Sequence, residues 1–392
     1  MVVREEGKVF YRVSITSKRG VQVLWYALDE SFAELISNTC DAALLGLLIP
    51  VMAIGEEVYI DGVMSDKLLY NVPRLQRLLQ HVMPSLHQVK IIVKDVYSGD
   101  NNRASGVATG FSGGIDSYCL LADHYYWATS EQFKVSHLLF NNVGSHGSGG
   151  ENLFRKRYKR LALVAERLGL PFVMINSNLD AFYGRSFGFQ QTHTLRNASV
   201  ALLLQGGLGR YMYASAFSYA YAFVGPTSSM AYCDTITLPL LSTEILEASS
   251  VGSEYTRVEK VLRVAEIPDS YDTIDVCVNA NYAGEYINCS RCWKCMRTLA
   301  TLEIAGFIER YSPSFDLSYY WHRRSEYFRD LLARQGRPQP NDREVIQFAQ
   351  ERGYLLPTMS NFGRIYAAFR QSTLRFGRRF LRKVKDLAST AS

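Results

Sequence analysis

The chain has 392 residues, 47% hydrophobic and 20% charged, with a formal net charge of +6. That balance excludes a disordered chain, and ordinary Gly and Pro contents (28 and 11) exclude collagen-like and Pro-rich architectures. Two or three domains are expected at this length, and the mild basicity permits a patch for nucleic acid or a phosphorylated ligand without requiring one. Residues 1–98 read as a small α/β domain. The opening MVVREEGKVFYRVSIT lacks the apolar stretch of a secretory signal. KVFYRVSI and VQVLWYAL are β-rich runs. DESFAELISNTCDAALLGLLI has apolar residues at helical spacing, with Asp29 or Ser31 as cap. EEVYIDG reads as a strand, SDKLLYNVPRLQRLLQHVM as a helix interrupted or begun at Pro73, and QVKIIVKDV as a strand. No catalytic motif falls in this domain, which suits packing or substrate presentation.

Residues 99–310 alternate strand and helix: GVATGFSGG, IDSYCLLADHYYWAT, VSHLLFNNVG, the basic amphipathic NLFRKRYKRLALVAERLG, PFVMINSN, THTLRNASVALLLQGGLG and RYMYASAFSYA. This rhythm predicts an α/β fold with a doubly wound parallel sheet, whose ligands bind beyond the C-terminal strand edges. Residues 311–392 read as a helical, basic region. Arg364, Arg370, Arg375, Arg378, Arg379, Arg382, Lys383 and Lys385 face only Asp386 nearby; a solvated helix face is the plainer reading, and contact with nucleic acid or protein the sharper one. Ala42 to Gly55 is too short to cross a bilayer, and Tyr211 to Cys233 carries five Tyr, four Ser, a Gly and a Pro, so a cytoplasmic protein without a membrane partner is expected.

Ser112-Gly113-Gly114-Ile115-Asp116-Ser117 follows an apolar strand and opens a helix. Two glycines let a phosphate approach backbone amides, and the helix turns its positive end toward the same anion. Ser112 and Ser117 add hydroxyls; Asp116 orients the loop or holds Mg2+. The run is neither a Walker A loop nor a dinucleotide fingerprint. It resembles the SGGxDS signature of the PP-loop ATP pyrophosphatase superfamily. That resemblance implies a HUP-type, adenine nucleotide alpha-hydrolase-like fold and ATP cleavage between the α- and β-phosphates. It implies that Ser112, Gly113, Gly114, Asp116 and Ser117 hold the pyrophosphate portion, with Phe140 to Gly144 near the adenosine. Leu195-Arg196-Asn197 is expected to start a helix. An Arg-Asn pair recurs in amide- and nitrile-forming relatives, where Arg196 would stabilise phosphate charge as a catalytic group and Asn197 would contact ligand; an exposed Arg beside a helix-start Asn is the alternative.

Of seven cysteines, Cys277 is followed by eleven residues and then Cys289-Ser-Arg-Cys292-Trp-Lys-Cys295. Four thiolates make a closed tetrahedral zinc site, structural because it has no open position. Arg291, Lys294 and Arg297 interleave and partly offset its charge. An iron–sulfur cluster is the alternative. SGGxDS together with this late cluster resembles 7-cyano-7-deazaguanine synthase and its relatives over roughly residues 105–300. That resemblance implies Cys277, Cys289, Cys292 and Cys295 as zinc ligands. The longer first Cys gap, the Met296-Arg297-Thr298-Leu299 ending and the flanking regions depart from that family.

Glu244, Glu254, Arg257 and Lys260 lie where substrate would enter and can bind it or close over ATP, or serve as surface charges on a capped helix. His146 and His193 are acid–base candidates or structural histidines, and Cys40, Cys119 and Cys233 are expected in the core. The expected activity is that of an ATP-dependent ligase (ATP, Mg2+, Zn2+). It adenylates a carboxylate or carbonyl oxygen, on a small molecule or a macromolecule, for attack by a nitrogen nucleophile. A sulfur transferase with an iron–sulfur cluster and a tRNA substrate, or a degenerate nucleotide-binding protein, is the alternative. A homo-oligomer is expected.

Overall fold

The computed structural model describes residues 1–357 except 19, 100–102, 148–149, 185–186, 280–281, 283 and 335–339. The basic run from Arg364 onward therefore lies outside the described residues. The strands are β1 (Val2–Glu5), β2 (Lys8–Ser17), β3 (Gly20–Asp29), β4 (Val58–Ser65), β5 (Ile91–Tyr97), β6 (Gly106–Gly110), β7 (His137–Asn142), β8 (Phe172–Ser177), β9 (Leu208–Ala214) and β10 (Glu247–Val251). The helices are α1 (Asp41–Ile54), α2 (Asp66–Val82), α3 (Ile115–Leu121), α4 (Glu151–Leu168), α5 (Phe189–Leu203), α6 (Asp234–Leu240), α7 (Arg257–Val264), α8 (Trp293–Ala305), α9 (Leu317–Ala333) and α10 (Pro340–Glu351).

Eight strands form one sheet in the order β1-β2-β3-β8-β7-β6-β9-β10. From β8 to β10 every pairing is parallel. The sequence reverses direction across the sheet at β6, running to β7 and β8 on one side and to β9 and β10 on the other, so the loop after β6 opens at the switch point where such sheets bind ligands. The parallel strands are short and buried on both faces, as helices on either side require. Alternation divides their side chains: Ala108, Leu139, Val173 and Tyr211 pack against α1, α2, α5 and α6. Val107, Leu138, Phe140 and Met212 pack against α3, α4, α7 and α8. A third cluster joins α7 and α8 to α9 and α10 through Val258, Ala300, Phe328 and Val345.

The first 98 residues do not stand apart from this sheet. β1 to β3 form an antiparallel meander that joins its edge, Tyr26 opposite Ser177 and Ala27 opposite Asn176. β4 and β5 make a separate parallel pair, while α1 and α2 share a core cluster with α5. The helix expected from Asp29 to Ile49 is split. A 3-10 turn, Glu30–Leu35, is capped by Asp29, and α1 starts afresh at Asp41. The buried Asp41 carboxylate fixes that start by accepting from Ser65 N (2.9 Å), Ser65 Oγ (2.5 Å), Thr39 Oγ1 (2.8 Å) and Gln205 Nε2 (2.8 Å). α2 runs through Pro73, which lies on its exposed face, where water can take the freed carbonyl. α5 begins at Phe189, so Arg196 and Asn197 sit in mid-helix and not at its start. No helix among the described residues is long and apolar enough to cross a membrane.

Candidate active site

At the C-terminal edge of β6, β7 and β9 lies a crevice of about 450 Å3, lined by the Ser112 loop and by residues from α4, α5, α7 and α8. A shallower hollow of about 670 Å3 opens among residues 220–232 beside Pro340. It has no ionisable lining group except tyrosine, so the chemistry belongs to the smaller crevice.

The loop after β6 is built as its glycines dictate. Gly113 has φ of +72°, and a Cβ there would stand 2.7 Å from Leu161 Cδ2. Asp275 N donates to Gly113 O at 2.8 Å, tying the loop to the segment leading into Cys277. Gly114 caps α3, and Ser117 Oγ donates back to Gly114 O at 3.0 Å. Ser112, Gly114, Asp116 and Ser117 line the crevice, and Gly113 shapes it from within the turn.

Asp116 does not face an open metal position. Arg257 Nη1 lies 2.9 Å from its Oδ1, Arg257 Nη2 donates to Oδ2 at 3.1 Å, and Lys260 Nζ reaches Oδ1 at 3.3 Å. Burial pushes this carboxyl up, but Arg257 and Lys260 outweigh it and hold its pKa below the ordinary value. Lys260 is buried, and its ammonium also donates to Ser215 O (2.5 Å) and Ser215 Oγ (2.9 Å). It is a brace beneath the crevice, whereas Arg257 lines it. A Thr256–Glu259 capping box sets the start of α7, which puts Arg257 and Lys260 on one face one turn apart. Both stood among the entry-region candidates; Glu244, by contrast, accepts from Lys67 N at 2.6 Å and serves the fold.

Arg196 is also placed differently from expectation. It is buried, and it is not part of the crevice lining. Its guanidinium lies 3.5 Å over the Tyr183 ring and donates to Val143 O (3.0 Å) and Asp180 Oδ1 (2.5 Å). Gly144, at φ +114°, leaves the room it occupies, since a Cβ there would collide with the guanidinium. Arg196 thus braces the turn after β7. Asn197 does reach the crevice, donating to His193 O (2.9 Å) and accepting from Asn141 Nδ2 (3.1 Å).

The cysteine cluster adjoins the same crevice. The four sulfurs lie within 4.8 Å of one another, and all seven cysteines are free thiols. Asn288 fixes the knuckle, accepting from Val276 N (2.9 Å) and donating to Ile274 O (2.8 Å). Ser290 takes a left-handed φ of 55° between Cys289 and Cys292. Backbone amides point at sulfur, Asn279 N to Cys277 at 3.4 Å and Cys292 N to Cys289 at 3.3 Å, which favours thiolates. A tetrahedral zinc tetrathiolate has sulfurs about 3.8 Å apart, so this soft donor set fits one ion with small adjustments.

Cys292 caps α8, and Lys294 and Arg297 of its first turns line the crevice together with Cys277. Burial lowers the Lys294 pKa, and burial with the neighbouring Arg257 charge lowers that of Arg297 to about 10. With Arg157 and Arg257 they give four lining cations. The lining acids Asp116 and Asp275 are already paired, with Arg257 and Arg160, so this end of the crevice suits a polyanion. Sequence spacing tied Lys294 and Arg297 only to the metal; their place at the crevice was missed.

His146 and His193 also line it, both neutral. Burial, with Arg157 near His146 and Arg196 near His193, lowers each to about 4. Asp234, not singled out by the sequence reading, lines the crevice as well and is pushed up to about 7 by burial, against the bond from Thr194. A signal for it existed: it is the one charged residue between Tyr211 and Thr243. The chain matches no family model, no curated protein and no solved structure.

Proposed function

We propose that the protein is an ATP-dependent, AMP- and pyrophosphate-forming ligase with a PP-loop, HUP-type nucleotide domain. The observation that carries this reading is the junction of the Ser112–Ser117 loop with Arg157, Arg257, Lys294 and Arg297 in one crevice at the sheet's switch point. Loop amides and cations stabilise the charge that grows on pyrophosphate as it leaves. An oxygen of the substrate attacks the α-phosphorus, the α–β phosphoanhydride bond breaks, and a nitrogen nucleophile then displaces AMP. Asp116 acts as a positioning residue that fixes Arg257 and Lys260, with Mg2+ arriving on ATP.

Zinc would be held by Cys277, Cys289, Cys292 and Cys295, supplying structural rigidity to the α8 end of the crevice. The sulfur spacing favours a single ion over a cluster, in which the four thiolates are spread over two or four irons, and so favours nitrogen over sulfur transfer. Seven free thiols suit a reducing, cytoplasmic setting. The test is release of AMP and pyrophosphate from ATP with Mg2+, ammonia and a panel of carboxylates. Release of ADP and phosphate instead, or no ATP binding, would sink the reading.

A further inference from the structure

The crevice has a second end whose chemistry is opposite to the first. There Asn141 of β7, His193 and Asn197 of α5, Tyr211 and Tyr213 of β9, and Asp234 of α6 form a connected wall. Thr194 Oγ1 donates to Asp234 Oδ1 at 2.6 Å, His193 Nδ1 pairs with the Tyr213 hydroxyl at 2.7 Å, and the Asn141–Asn197 bond completes the wall.

Three polar atoms of these crevice-lining side chains are buried without a partner among the described residues: Asp234 Oδ2, the Tyr211 hydroxyl and Asn141 Oδ1. The amide orientations are fixed by the chain. Asn197 gives its Nδ2 to a backbone carbonyl, so its Oδ1 must accept from Asn141 Nδ2, which leaves Asn141 Oδ1 as an acceptor. Asp234 is 1% exposed and makes no ion pair among the described residues. Thr194 and His193 from α5, Tyr211 and Tyr213 from β9, and Cys233 and Thr237 beside it on its own segment stand around it, and none is a cation at neutral pH. A buried carboxylate with a free oxygen and no cation costs stability unless a ligand completes it.

We propose that this end of the crevice binds a protonated nitrogen, an ammonium ion or primary alkylammonium, on Asp234 Oδ2 and the Tyr211 hydroxyl. The role of that nitrogen as nucleophile rests on the ligase reading; the binding does not. An ammonium brings at least three N–H donors and a positive charge, matching an anionic acceptor and a hydroxyl. Asp234 then takes one proton from the ammonium, giving a neutral amine with its lone pair and a neutral carboxylic acid. The carboxyl's elevated pKa, about 7, suits that transfer.

Benzylamine is the probe, with benzyl alcohol as its uncharged control, followed by calorimetry or saturation-transfer NMR on the full chain. Benzylammonium is expected to bind wild type about tenfold more tightly at pH 8 than at pH 6, following ionisation of Asp234. Asp234→Asn is expected to weaken it at least tenfold and to erase the pH dependence. Tyr211→Phe removes a hydroxyl that has no partner, so it should fold like wild type and still bind the probe about threefold more weakly. Benzyl alcohol should respond to neither substitution. No benzylamine binding to wild type, or equal binding to both variants, would overturn the subsite. ATP affinity is measured on the same samples: amine binding without ATP binding would sink the ligase reading and leave the subsite standing, and ATP binding without amine binding would do the reverse.

Discussion

Arg257 grips Asp116 with both guanidinium nitrogens, Nη1 on Oδ1 at 2.9 Å and Nη2 on Oδ2 at 3.1 Å, across 141 residues of sequence. The pair welds the first turn of α7 to the first turn of α3. It sets the Ser112–Ser117 loop against a cation that the loop itself lacks, and it takes up the carboxylate oxygens that a bridging Mg2+ would need.

Asp116→Asn should therefore cost stability as well as activity. It leaves the buried Lys260 with neutral partners and no anion; the partial exposure of Asp116 tempers the loss to about 2 kcal/mol. The Asp116 pKa is depressed, so its contribution is complete above the ordinary value of 3.8 and is lost as pH falls through the folded value. Urea unfolding at pH 7 and pH 3 should show the wild-type advantage over Asp116→Asn shrinking at the lower pH. Full stability with abolished AMP formation would return Asp116 to direct binding of Mg2+.

Arg196→Met is expected to destabilise the fold by about 2–3 kcal/mol, because it strips Val143 O and Asp180 of their donor and removes the guanidinium from Tyr183. At a temperature where the variant stays folded, ATP affinity should change less than threefold. Unchanged urea stability with lost turnover would instead restore Arg196 as a catalytic group.

His193 acts on stability in the same sense as Asp116, but in a higher pH window. Its folded pKa is lowered from 6.5 to about 4, so its contribution is complete above the unfolded value and is lost as pH falls from 6.5 toward 4. Asp234, raised from 3.8 to about 7, loses its contribution as pH rises through the same window and partly masks this. The difference between wild type and His193→Gln isolates the histidine, since Asp234 titrates in both. The wild-type advantage over His193→Gln should shrink as pH falls from 6.5 toward 4; parallel profiles would place the His193 ring in solvent.

Local patterns made much of this legible. The short apolar runs in VSHLLFNNVG and PFVMINSN, the glycines after GVATG and the spacing of Cys289, Cys292 and Cys295 each report on neighbours within a few residues. What stayed hidden depends on distance. β3 meets β8 through two paired positions, Tyr26 and Ala27, too few to mark a local pattern, so the first 98 residues look like a unit of their own. Arg196 in THTLRNASV shows no sign that it turns inward, because its reasons are Tyr183, Val143 and Asp180. Asp234 carried a signal of another kind, a single charge in a long uncharged stretch, which periodicity does not register.

The cysteine cluster adjoins the cationic end of the crevice, and the roles of the two can be separated by two substitutions. Lys294 lies between the ligand candidates Cys292 and Cys295, and Arg297 follows one turn after Lys294. Closing four thiolates on one ion fixes the first turn of α8, and with it the seats of both cations. Cys292→Ser or a strong chelator should therefore release the metal, lower stability and weaken ATP binding together, because metal binding is coupled to local folding. Lys294→Ala should leave metal content at one ion per chain and still raise the ATP Kd about tenfold or more, the size of one lost charge-assisted contact. Elemental analysis and ATP titration on the same preparations read both quantities. If Cys292→Ser loses its metal and binds ATP as wild type does, the cluster is a remote staple, and Lys294 is held in place by the packing of α8 alone.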